Sequence, residues 1–121
     1  MSLTICIIPY ITPDLKLAKE LRKLGAAGLR VYAGFIGLNK GIENEQALSD
    51  VINCAHSEGT YFPIIAEGGI GRPEHAKRAM ELGADAVLVN TAIATNEYPV
   101  RCAGEFKKAV IDGRAAFLAR H

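Results

Sequence analysis

Short apolar runs alternate along this chain with longer stretches in which apolar residues return every three or four positions. "TICIIPY" (4–10) leaves almost no polar position to face water and predicts a strand buried on both faces. Thr12 as N-cap, Pro13 at the first helical position and Asp14 at the positive end of the dipole then predict a helix start. Leu17, Leu21 and Leu24 share that helix's inward face, and Gly25 closes it as the residue after the cap. "AGLRV" (27–31) predicts the next strand, and a long loop, "YAGFIGLNKGIEN" (32–44), follows with Gly34, Gly37 and Gly41. A helix from about Asn44 turns Ala47, Leu48, Val51, Ile52 and Ala55 inward until Gly59 breaks it. Then come strand 62–66, the turn "EGGIG", helix 73–82, Gly83, strand 86–89 and the turn "NTAIA". Pro99 opens a last helix whose predicted stripe is Val100, Ala103, Phe106 and Val110, with Gly113 a candidate interruption before "RAAFLAR".

This order is β-α-β-α-β-α-β-α, with no linker, low-complexity segment or shift in composition, so residues 1–121 read as a single α/β domain. Strands alternating with helices imply a parallel sheet with right-handed crossovers. A (β/α)₈ barrel repeats such a unit eight times in typically about 250 residues. Four units suit half of a TIM-type barrel or a small open sheet. A half-barrel leaves the edges of strands 4–10 and 86–89 unpaired and, with strands apolar on both faces, an apolar inner face in water. It is therefore expected to be completed as a homodimer or by a partner carrying the other half.

Charge adds mainly exclusions. A net charge of +1, with acids and bases well mixed, offers no basic face for nucleic acid. The apolar run at Ile5–Ile8 is too short for a signal sequence or a membrane span, which points to the cytoplasm. Cys6, Cys54 and Cys102 are odd in number and widely spaced; they suit buried free thiols in a reducing compartment better than a zinc site or a disulfide framework. His56, His75 and His121 lack metal-ligand spacing and read as surface residues, so neither a metal nor a cofactor is implied.

In a parallel sheet, function gathers at the carboxyl ends of the strands. Two segments fall there on the last two strands, 67–72 and 90–94. Gly68 and Gly69 let the backbone come close to a ligand, and their N–H groups with the next helix start can cradle a phosphate. Asn90 and Thr91 add donors on the neighbouring strand. Arg72 stands where a Ser or Thr cap is usual; it can face an anion or point to solvent. Glu67 ends a buried strand at the mouth of this site, where a carboxylate can act as acid or base; it can equally cap a turn or pair with Arg72. Lys40 and Asn39 sit on the long loop, Lys40 as a solvated lysine rather than a Schiff-base amine.

The stretch "PIIAEGGIGRPEHAKRAMELGADAVLVNTAIA" closely resembles the thiazole synthase of thiamine biosynthesis, and "YPVRCAGEFKKAVIDGRAAFLAR" is similar to that family's final helix. "CIIPYITPDLKLAKELRKLGAAGLRV" and "IGLNKGIEN" resemble its segments before and within the long loop. The resemblance spans the chain but only the C-terminal half of the family. It implies a (β/α)₈ barrel that condenses 1-deoxy-D-xylulose 5-phosphate, a dehydroglycine equivalent and sulfur from a thiocarboxylate on a ubiquitin-like carrier protein. It places the sugar phosphate at Gly68, Gly69, Asn90, Thr91 and Ala33-Gly34, and the family's acid/base aspartate at Glu67, one methylene longer here. Val31 and Phe35 stand where the family has prolines. The Schiff-base lysine and a nearby glutamate belong to the family's N-terminal half, so the chain by itself is expected to be inactive. Two other readings stay open: a non-catalytic phosphate-ligand binding module or subunit, and a phosphosugar epimerase or isomerase half-barrel. "NTAIA" favours the thiazole synthase, because such epimerases more often carry Gly-Ser or Gly-Thr there.

Overall fold

A computed structural model describes residues 5–34 and 40–121. The described residues form β1 (Tyr10–Ile11), α1 (Leu15–Lys23), β2 (Leu29–Tyr32), α2 (Glu45–Ser57), β3 (Ile64–Glu67), α3 (Pro73–Glu81), β4 (Ala86–Leu88), α4 (Thr91–Ala94) and α5 (Pro99–Arg120). All strand pairs are parallel, and their order in the sheet is the order in the chain, 1-2-3-4. Each crossover therefore moves one strand along, as around a barrel wall, and β1 and β4 are the outer strands.

The strands alternate between two environments. Leu29, Val31, Ile64 and Ala66 are fully buried on the helix side, where they meet Leu48, Val51 and Ile52 of α2 and Ala76, Ala79 and Met80 of α3. On the opposite, inner face, the register aligns Tyr10, Arg30, Ile65 and Ala86 in one row and Tyr32, Glu67 and Leu88 in the next. An apolar inner face is thus corrected: four of these seven residues are polar or charged. The expectation took the strands as apolar on both faces and placed Tyr32 in the following loop, whereas Arg30 and Tyr32 alternate with Leu29 and Val31 in β2.

Other expectations shift for local reasons. The ladder of β1 is only two residues long. Its upstream segment runs beside β2, with the Ile7 carbonyl accepting from Ala27 N–H at 2.9 Å and the Pro9 carbonyl from Arg30 N–H at 2.8 Å. Ile5 and Ile7 are nevertheless 72% and 61% exposed, so residues 5–9 are not a buried strand, and Cys6 is exposed on this open sheet edge. Asp14, not Thr12, caps α1; its Oδ1 accepts from Leu17 N–H at 3.0 Å. Leu24 lies past the last turn and is exposed, leaving Ala18 with Leu17 and Leu21 as the packed face. Gly25 has φ +99°, as the turn after the helix requires.

The last helix runs unbroken through Gly113, and its buried stripe is Cys102, Phe106, Ala109 and Gly113; Val100 is exposed. Gly113 faces α3, where a β-carbon would stand 2.5 Å from the Lys77 carbonyl oxygen and 2.8 Å from the Met80 β-carbon. Gly113 is therefore the point at which α5 crosses closely over α3, not a break.

Beneath the sheet, Arg22 joins α1 to the end of α2. It donates to the Ala55 carbonyl at 2.9 Å and to the Thr60 carbonyl at 2.7 Å, pairs with Glu58 at 3.1 Å, and stacks on Phe62. Asp85 accepts from Ile64 N–H at 2.8 Å and from His56 at 3.0 Å, fixing α2 against the starts of β3 and β4.

Candidate functional site

The carboxyl ends of β2 and β3 are joined by their own backbones. Ala33 N–H donates to the Glu67 carbonyl at 2.8 Å, Gly41 N–H to the Gly69 carbonyl at 2.8 Å, and Glu43 N–H to the Ala33 carbonyl at 2.7 Å. Three glycines make this approach feasible. A β-carbon on Gly69 would stand 2.7 Å from the Gly41 oxygen and 2.9 Å from Gly34 Cα, and one on Gly34 would collide with the same oxygen. Gly69 (φ +73°) and Gly68 (φ +93°) also hold a backbone shape that side chains disfavour. The sequence-predicted residues Ala33, Gly34, Gly68 and Gly69 are thereby gathered at one end of the sheet.

Asn90 and Thr91 open the short α4 just after β4, whose Leu88 pairs with Glu67. Asn90 is exposed and makes no capping bond, while Thr91 is partly buried. Arg72 lies outside this group, 71% exposed and paired at 3.6 Å with Glu74. The residue that organises the start of α3 is His75, which is half-buried rather than superficial. Its Nδ1 accepts from Gly71 N–H at 3.1 Å and Arg72 N–H at 3.2 Å, and its ring underlies Gly41. Two N–H groups of the expected anion cradle are thus already satisfied by a side chain, as in a capping box. Lys40 is exposed, and Phe35, Gly37 and Asn39 lie outside the described residues.

Glu67 is the last residue of β3, on the inner face, with its side chain 16% exposed. Its partner is Arg30 of β2, at 3.4 Å from Oε2, not Arg72. That oxygen is buried and has no hydrogen-bond partner. The Arg30 guanidinium lies 5.2 Å from the centre of the Tyr10 ring, whose hydroxyl is likewise buried and without a partner. Burial pushes the Tyr10 phenol above its ordinary range; the Glu67 carboxylate adds to the rise and Arg30 opposes it. In the row of Glu67, Tyr32 donates to Glu43 at 3.2 Å.

Tyr10, Arg30 and Tyr32 were missed in the sequence. The signal was their alternation with buried residues, which marks a second, wet face of the strands. Among the described residues no group of three His, Cys, Asp or Glu is placed to hold a metal ion, and no helix is long and apolar enough to cross a membrane.

Known proteins resemble this chain over most of its length. The thiazole synthase of Alkaliphilus metalliredigens is 46% identical over 111 residues, covering 92% of this chain and 41% of that protein. The thiazole synthase of Vibrio atlanticus is 47% identical over 113 residues, covering 93% of this chain and 42% of that protein. The chain therefore spans well under half the length of these relatives. The crystal structure of an Amycolatopsis orientalis BexX/CysO complex superposes with a TM-score of 0.86 at 37% identity, over 94% of this chain and 45% of that one. Thiamine phosphate pyrophosphorylase from Pyrococcus furiosus matches at a TM-score of 0.69 and 23% identity, over 88% of this chain and 50% of that one, which is a likeness of fold alone. Such coverage is that of half a TIM-type barrel. The family model of the thiazole biosynthesis protein ThiG matches residues 4–121, and the chain belongs to that family.

Proposed function

We propose that this chain forms the phosphate-binding, carboxylate-bearing half of a thiazole synthase barrel, serving the formation of the thiazole of thiamine. The observation that carries this reading is the convergence of Ala33-Gly34, Gly68-Gly69 and Glu67 at one sheet end, with Asn90-Thr91 following the adjacent strand, in a member of this family. In this proposal the two turns hold the phosphate of 1-deoxy-D-xylulose 5-phosphate or a similar sugar phosphate. Glu67 is the acid/base group beside its carbon chain. The amine that the family's condensation needs comes from its N-terminal half, and the sulfur from a ubiquitin-like carrier protein. A second copy of this chain, or a partner with the other half-barrel, covers the inner face.

Calorimetric titration with the sugar phosphate tests the site. Gly69 is a poor target, because any side chain there strikes the backbone of Gly34 and Gly41. Asn90→Asp keeps the shape and sets a negative charge beside the phosphate. It is expected to weaken binding at least about tenfold, as like charges at close range do. Unchanged affinity in this variant, or no binding by the unaltered chain, overturns the proposal.

A further inference from the structure

The two orphaned polar atoms on the inner face lie in one cluster. Arg30 is the register partner of Tyr10 on one side and of Ile65 on the other, and Glu67 lies two residues beyond Ile65 on the same face. Arg30 thus bridges diagonally between the tyrosine ring and the carboxylate. The guanidinium fork can make two parallel hydrogen bonds to a carboxylate. This pair is a single contact of 3.4 Å, with the Arg30 side chain 39% exposed and Glu67 Oε2 left without a hydrogen bond. Leaving such an oxygen and the Tyr10 hydroxyl unsatisfied is costly. Beyond them, the face carries Ile65, Ala86 and Leu88 together with Tyr32.

We propose that Arg30 positions Glu67 toward the carbon chain of a phosphorylated ligand, and that Arg30 and Tyr10 complete with it a subsite for an uncharged hydroxyl or carbonyl group. This rests on the phosphate site proposed above. The cluster carries one positive and one negative side chain, so its net charge is close to zero. A hydroxyl can donate to Glu67 Oε2 while a neighbouring carbonyl accepts from Arg30 or Tyr10. A carboxylate in the same place would meet Arg30 as an opposite charge but Glu67 as a like one, and it has no hydrogen to donate to the unsatisfied Oε2. The subsite therefore selects a neutral hydroxy-carbonyl chain over an acid of the same length.

The full chain is titrated with inorganic phosphate, with 1-deoxy-D-xylulose 5-phosphate and with the five-carbon acid D-xylonate 5-phosphate. The unaltered chain is expected to bind the sugar phosphate most tightly. Arg30→Leu is expected to lower sugar-phosphate affinity about tenfold and leave inorganic phosphate within about twofold. Arg30→Lys, which keeps the charge, should recover most of that loss. Tyr10→Phe and Glu67→Gln should each narrow the preference for the sugar phosphate over inorganic phosphate. Equal losses for both ligands in Arg30→Leu, or no loss for either, overturn the inference, because a merely structural residue behaves so. Binding of inorganic phosphate with no added affinity for the sugar phosphate, or tighter binding of D-xylonate 5-phosphate, leaves the phosphate site standing and overturns this subsite. Binding of none of the three ligands overturns both.

Discussion

Arg22 is a polar residue whose value lies almost wholly in structure. Its side chain is 14% exposed, and it satisfies two carbonyls at the end of α2 while stacking on the buried Phe62. Arg22→Ala would strand the part-buried Ala55 carbonyl and uncover Phe62, at an expected cost of about 1–3 kcal/mol in urea unfolding. A loss below about 0.5 kcal/mol would show that solvent replaces the arginine freely. Tyr10 is the opposite case, since its buried hydroxyl has no partner. Tyr10→Phe is expected to leave stability unchanged or raise it by up to about 1 kcal/mol while weakening sugar-phosphate binding, the trade seen where a site stores unsatisfied groups. Its pH dependence has a definite sign. Burial raises the folded phenol's pKa, so the hydroxyl's contribution is complete below the unfolded value of about 10 and is lost as pH rises through the higher folded value. Tyr10→Phe should therefore hold its stability better than the unaltered chain above about pH 10. A parallel alkaline decline in the two proteins would show that Tyr10 is not the group responsible.

Two glycines of α5 separate helix propensity from packing. A β-carbon at Gly104 meets nothing within 4 Å, whereas one at Gly113 would press on α3. Gly104→Ala is expected to stabilise by about 0.5–1 kcal/mol through propensity alone. Gly113→Ala gains the same propensity but must push α5 from the Lys77 carbonyl, and a net destabilisation is expected in thermal unfolding. Equal stabilisation by both would mean that the α3–α5 contact yields at little cost. The link between α2 and α3 responds to acid. Arg78 grips Glu45 through two bonds of 2.9 Å and holds its carboxyl below the ordinary value of 4.5. That stabilisation is present above about pH 4.5 and is lost as pH falls through the lower folded value, so the gap between the unaltered chain and Glu45→Gln should close in acid. Both side chains are over 40% exposed, so the gap is expected to stay under about 1 kcal/mol. The number, type and order of the principal helices and strands were legible because each has its own period and its own breaker. The short α4 was read only as a turn. Gly113 was misread because a helical glycine looks the same in sequence whether it breaks the helix or admits a neighbour. The α5 stripe was misplaced because "PVRCAGEFKKAV" supports two overlapping apolar faces, and only contact with α3 and α4 chooses between them.

The sheet ends that gather the candidate site were legible from two glycine-rich or polar turns, each placed after an apolar run. The Arg30–Glu67–Tyr10 cluster was not, because its members lie 20 and 37 positions apart and meet only through strand register. That same register decides what the molecule does with its inner face. The face is less apolar than a buried barrel lining would suggest, carrying Tyr10, Arg30, Tyr32 and Glu67 beside Ile65, Ala86 and Leu88. Desolvation of these groups lowers what association gains from burial, yet the outer strands still expose apolar residues, with Ile5 and Ile7 on one edge and Leu88 on the other. β1 and β4 are each hydrogen-bonded on one side only within this four-stranded sheet, and parallel sheets are rarely left open to water on a face. Two copies related by a two-fold could set β1 of each against β4 of the other and close eight parallel strands, with both polar clusters inside the ring and both pairs of turns at their own strand ends. Light scattering on dilute protein is accordingly expected to give about twice the chain mass of 13.0 kDa, unless a protein carrying the other half-barrel is present to compete. Arg30→Glu would place like charges at the centre of each inner face and should lower the dimer fraction, with sedimentation velocity as the measure. A folded, protease-resistant species of 13.0 kDa that persists as concentration rises would instead show that the four strands stand alone as an open sheet.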